Sequence, residues 1–172
     1  MPPEGLDDRY LAIYLNDHLA GATGGRQLVK RAASSNAGTP YGEFLSELEH
    51  EIAEDLASLE RIMDRLEVGK DPLKQVAAFG AEMLGRLKLN GQLIGYSPLS
   101  RLVELEVLAL GIEGKLALWH ALRQIAPADE RLDEEELDVL IQRAGRQRED
   151  LEPHRLAAAE EALTAEAGTS VR

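Results

Sequence analysis

The groups in this chain best suited to chemistry are its histidines and carboxylates, because it contains no cysteine. Thiolate nucleophiles, disulfides and Cys-based zinc or iron–sulfur sites are thereby excluded. Imidazole and carboxylate remain able to ligate iron, manganese or zinc, or to move protons near neutral pH. The acidic stretch FLSELEHEIAED (44–55) carries Glu47 and His50 at Glu-x-x-His spacing, the arrangement that carboxylate-bridged metal sites place on bundle helices. Further along, Glu106, Glu113 and His120 recur at seven-residue steps, and Arg148 and Arg155 repeat the same interval. Seven residues is two helical turns, so each series lies along one side of a helix.

Helices must position these groups, and the punctuation of the chain marks where they start. Thr39-Pro40, Asp71-Pro72 and Ser97-Pro98 each pair a capping side chain with proline at the first helical position, where the missing N–H costs nothing. Asp133 is a fourth cap, with Glu136 three residues later and Leu132 and Leu137 as a hydrophobic staple. Stops follow at Ser34–Gly38, at Gly69, at Asn90-Gly91 and around Ala126–Asp129. This predicts five helices, over 6–34, 40–67, 72–89, 98–126 and 133–165. No window alternates with period two, so no strand is expected. The predicted fold is an all-α antiparallel bundle in one domain, 1–166, with a frayed tail at 167–172. Pro153 is expected to kink or split the last helix near Leu151.

Helical periodicity then assigns faces. In the second helix Leu45, Leu48, Ile52, Leu56, Leu59, Met63 and Leu66 form the inner stripe, which turns Glu47 and His50 toward solvent. Asp55 flanks the stripe. In the first helix Leu11, Tyr14, Leu15, His18, Ala22, Gly25, Val29 and Ala32 face inward. A hairpin of these two helices sets His18 near Asp55. Gly21, Gly24 and Gly25 weaken the first helix, and the expected return is close approach of another helix or of a ligand. The fourth predicted helix is apolar nearly all round, with Glu106, Glu113 and His120 on one side among Leu102, Leu110 and Ala117. Pairing it antiparallel with the last helix brings Glu106 and Glu113 to Arg148 and Arg155. One reading is an interior ladder of ion pairs fixing register. The other is a carboxylate-lined metal site formed by His18, Asp55, Glu106, Glu113 and His120. The segment 86–102 is too apolar for a free linker and is expected to pack under the bundle end or to mark a partner surface.

Composition bounds the partners. The 172 residues carry a net charge of −12, which opposes binding to nucleic acid or anionic lipid. A basic protein partner or a homo-oligomer remains open. No apolar run reaches the roughly 20 residues a membrane span needs, and the start MPPEGLDDRY is acidic without an apolar signal core. A cytoplasmic location is the expectation. Gly-Ala-Thr-Gly-Gly (21–25) follows no strand and so is not a phosphate loop.

The stretches YLNDHLAGATGG (14–25) and GYSPLSRLVELEVLALGIEGKLALWHALR (95–123) resemble those of small bacterial ferritin-like proteins. The resemblance spans about 6–160 and implies a ferritin-like bundle. Di-iron members of such bundles use a Glu on each of two helices and Glu-x-x-His on each of the other two; this chain has one such motif, Glu47/His50. Two functions are therefore expected. The first is a non-catalytic bundle acting through protein contacts or self-association, without a cofactor. The alternative is a metal-binding protein or metal-dependent oxidoreductase using iron, manganese or zinc.

Overall fold

The computed structural model describes residues 6–71 and 96–164, and these are helical with no strand among them. Among the described residues there are four α-helices: α1 (Asp8–Ser35), α2 (Pro40–Arg65), α3 (Pro98–Ile125) and α4 (Glu134–Leu163). The helix expected over 72–89, the bulk of the apolar 86–102 segment and the tail lie outside the described residues.

The caps form as their chemistry requires. Asp7 accepts from the Tyr10 amide, Thr39 from Gly42, Ser97 from Ser100, and Asp133 from both Glu135 and Glu136. Leu132 and Leu137 are both buried, as a staple demands. Glu136 instead pairs across to Arg65 of α2. The stop after α2 differs from expectation. The left-handed residue is Glu67, with φ 56°, rather than Gly69, and the Val68 amide closes the turn onto the Met63 carbonyl at 2.9 Å. The turn from α1 to α2 uses Gly38 at φ 78°. Gly42 sits so close to this turn that a Cβ would overlap the Asn36 carbonyl. α4 runs unbroken through Pro153. Pro153 is exposed while Leu151 and Ala158 on either side are buried, so packing holds the helix across the missing hydrogen bond.

Cross-links fix the directions. Arg31 of α1 meets Glu104 of α3 at 2.9 Å, while Leu15 and Trp119, at the opposite ends of those helices, share one core cluster. α1 and α3 are therefore antiparallel. α2 and α3 run parallel, since the Arg101 guanidinium lies 4.5 Å from the Tyr41 ring centroid and Lys115 meets Asp55. α4 runs against both, through Arg148–Glu113 and Arg155–Glu106 on one side and Tyr41–Glu161 on the other. The order is up–down–down–up, so the chain must cross the bundle between α2 and α3. The start of that crossover is tied down by Asn16, whose amide donates to the Gly69 carbonyl at 2.9 Å and accepts from the Asp71 amide at 2.8 Å.

The crossover's far end is also anchored. The Tyr96 hydroxyl donates to Glu104 Oε2 at 2.8 Å and accepts from Asn36 Nδ2 at 2.7 Å. Arg101 Nε donates to Asn36 Oδ1 at 2.7 Å. Glu104 is only 4% exposed, and Arg31 supplies its charge partner. Glu104→Ala leaves the Tyr96 hydroxyl and the Arg31 guanidinium short of a partner, so it is expected to cost about 1–3 kcal/mol. Urea unfolding followed by far-UV circular dichroism measures that loss; Tyr96→Phe, which removes one hydroxyl, should cost less.

Candidate functional site

The apolar interior divides into two clusters. One gathers Leu11, Leu15, Leu19, Leu59, Ile62, Trp119 and Leu122 at one end. The other gathers Val29, Leu45, Leu48, Leu105, Leu108 and Leu151 at the other. The boundary has a cause in the heptad seams. Along α2 the buried positions step Leu45, Leu48, Ile52, Asp55, Leu59, Ile62; along α3 they step Leu105, Leu108, Ile112, then the half-buried Lys115, then Trp119 and Leu122; along α4 they step Leu137, Leu140, Ala144, Gln147, Leu151. Each seam alternates steps of three and four. Each is interrupted once by a polar residue, and the three interruptions meet.

Asp55 is 2% exposed. Its Oδ2 accepts from Lys115 Nζ at 2.5 Å and from Gln147 Nε2 at 3.0 Å. Its Oδ1 stands 2.7 Å from Arg143 Nη2. This is a charge contact without hydrogen-bond alignment, since neither Oδ1 nor Arg143 Nε has a hydrogen-bond partner. Lys115 also donates to Gln147 Oε1. On the outer side Arg143 Nη1 reaches Glu54 at 2.9 Å, and Glu54 is largely exposed. Burial lowers the Lys115 pKa most strongly; the Asp55 carboxylate opposes that shift and Arg143 adds to it.

Beside this layer lies a cavity of about 360 Å³ between α1, α2 and α3. Its walls are mainly apolar, and they include Gly21, Gly24 and Gly25 of α1 and Gly111 and Gly114 of α3. A Cβ built at Gly21, Gly25, Gly111 or Gly114 meets no atom of the described residues within 4 Å. Gly21 and Gly25 of α1 thus pack against no other helix among the described residues. Asp55 and Lys115 line the cavity, as do His18 and Trp119. Trp119 is the chain's only tryptophan. It is 1% exposed, and its indole N–H has no acceptor.

The expected site residues are therefore separated. His18 and Asp55 share the cavity wall. Glu106, Glu113 and His120 lie on the opposite, exposed face of α3. The ion pairs expected of Glu106 and Glu113 do form, Arg148–Glu113 at 3.0 Å and Arg155–Glu106 at 3.7 Å. They are not interior: the Glu113 and Arg148 side chains are 57% and 50% exposed. Such pairs are screened by water and add little stability. Glu47 and His50 are exposed as the periodicity implied. Among the described residues no three His, Asp or Glu side chains gather closely enough to hold a metal ion. Periodicity misplaced the inner face of α3 because that helix is apolar nearly all round. Lys115 and Gln147 escaped notice although the three-four seam passes through both. Glu104 gave no comparable signal.

His18 packs its ring edge-on to Tyr14, with centroids 4.5 Å apart. Burial lowers its pKa from 6.5, partly opposed by the Asp17 carboxylate. His154, stacked on Phe44 with centroids 4.1 Å apart, is lowered for the same reason.

Comparison of the chain with protein-family models, curated proteins and solved structures finds no match.

Two outcomes follow from this geometry. Asp55→Ala strands Lys115 and Arg143 and is expected to cost about 3–5 kcal/mol in urea unfolding. The quadruple change Asp55→Leu, Lys115→Met, Arg143→Met, Gln147→Leu removes the layer as a unit and should recover most of that loss. Stability should also fall as pH drops below 6.5. In that range the unfolded chain takes up protons on His18 and His154 that the folded chain resists, so acid favours unfolding until the folded imidazoles titrate in turn. Melting temperatures across this range for wild type and His18→Gln test it, the variant showing the shallower dependence.

Proposed function

We propose that this protein is a small-molecule-binding helical bundle whose ligand occupies the cavity between α1, α2 and α3. The observation that carries the reading is the open volume in front of the glycines of α1 and α3. Glycine in a helix costs about 1 kcal/mol relative to alanine, a cost that room for a ligand would account for. At about 360 Å³ the volume falls in the range of ligand sites. Its apolar walls with a few converging polar groups suit a compact, mainly apolar molecule.

The fold proposal that accompanies it is ferritin-like. The up–down–down–up order of the four described helices, with 66–97 separating the parallel pair α2 and α3, supports it, because ferritin-like bundles carry one long crossover. No helix among the described residues is long and apolar enough to cross a membrane. Self-association is a second reading. It is supported by Tyr10, Leu110, Val139 and Leu163, which are each more than half exposed, and light scattering of the purified chain tests it.

A neutral fluorescent probe, N-phenylnaphthylamine, should bind the intact chain near one equivalent with a blue-shifted emission. Gly25→Leu and Gly111→Leu place side chains in the volume, and both should retain or raise the melting temperature while weakening probe binding at least tenfold. Unchanged probe binding by folded variants would refute the cavity reading. Elemental analysis of protein purified without chelator separates this proposal from the metal-dependent one. Stoichiometric iron, manganese or zinc that Asp55→Asn or His18→Gln removes would favour the latter.

A further inference from the structure

We infer that the ligand is an amphipathic monocarboxylate, its apolar body in the glycine-walled cavity and its carboxylate on Lys115 and Trp119. This rests on the cavity being a ligand site. The donors left over at its wall give the ligand its chemistry. The Lys115 ammonium has three N–H groups. Two are used, on Asp55 Oδ2 and Gln147 Oε1. The third has no acceptor among the described residues. One helical turn further along the same wall, the Trp119 indole N–H is buried without an acceptor among the described residues. Residues four apart on a helix are neighbours on its surface, so two unspent donors face one neighbourhood. An unsatisfied buried donor is costly, and an acceptor group with two oxygens satisfies both.

Charge narrows the class further. Two cations, Lys115 and Arg143, converge on the single buried carboxylate of Asp55. Among the described residues the other acid paired with Arg143 is Glu54, which is 68% exposed, so solvent screens it. The dry part of the layer therefore carries an excess of positive charge, which one ligand carboxylate neutralises. The remaining wall, including Leu28, Ile52, Leu56, Leu59, Leu108 and Leu118, is aliphatic. At ordinary packing density the volume takes a molecule on the order of a dozen non-hydrogen atoms. The chain's net charge of −12 gives an anion no long-range attraction. Selectivity must then arise at the site itself.

The test uses octanoate, octanol and octylamine at pH 7 with the intact chain, reading the emission of Trp119. Octanoate should bind at least tenfold tighter than octanol, with octylamine weakest. Lys115→Met should remove the preference for octanoate over octanol. Because that change also strands Asp55, Asp55→Asn combined with Lys115→Met and Arg143→Met supplies a second variant without an orphan charge in the layer, and it too should bind octanoate and octanol equally. Lys115→Arg should keep the preference. Trp119→Phe, followed by calorimetry, should weaken octanoate a few-fold more than octanol. Equal affinities in the wild type, or tightest binding of octylamine, with the neutral probe still bound would overturn the monocarboxylate and leave the cavity reading intact. Failure of the neutral probe as well removes both.

Discussion

Asp55 dominates the architecture because a carboxylate that is 2% exposed must gather its partners from the surrounding protein. It draws them from two other helices: Lys115 from α3, and Arg143 and Gln147 from α4. Apolar side chains tolerate sliding by a turn, since one leucine replaces another at little cost. An ion pair inside the core does not, because a shift strands charges away from water. This contact therefore sets the axial register of α2, α3 and α4 in a way that the leucine seams alone do not. The antiparallel run of α4 against α2 follows the same register, from Arg65–Glu136 at one end to Tyr41–Glu161 at the other.

The polar layer also explains why the core is divided. A continuous leucine seam would close the space between the halves of the bundle. Here Asp55, Lys115 and Gln147 occupy the central level, and across from them α1 offers His18, Gly21, Gly24 and Gly25. Small residues facing a polar layer leave a volume that neither apolar cluster fills. Trp119, at the boundary, contributes its ring to one cluster and its indole N–H to no partner. The cavity and the ion cluster are thus two consequences of one interruption in the heptad pattern.

A second polar cluster does different work at the opposite end. Asn36, Tyr96, Arg101 and Glu104 bind the turn after α1 to the start of α3. Asn16 holds the departure of the chain from α2. Both ends of the α2–α3 crossover are therefore fastened to α1, so the parallel pair α2 and α3 is held by the helix that runs against both. Ion pairs on the outer faces, such as Arg148–Glu113, decorate this frame without determining it.

Sequence alone determined the elements that depend on local chemistry. Thr39-Pro40, Ser97-Pro98 and Asp133 cap helices because a side-chain oxygen beside a free amide needs no tertiary help. The outward face of Glu47 and His50 was legible because α2 has a clear apolar stripe to oppose it. The inner face of α3 was not legible, since leucines surround that helix and only its neighbours decide which of them are covered. Hence Glu106, Glu113 and His120 were read as interior when they face water, while Lys115 passed unremarked. Asp55 was recognised as the acid nearest the core, but its partners were not, because Lys115, Arg143 and Gln147 lie 60 or more positions away. The glycines of α1 could have served either close packing or open volume. Only tertiary structure decides between them, because that depends on how far away the facing helix stands.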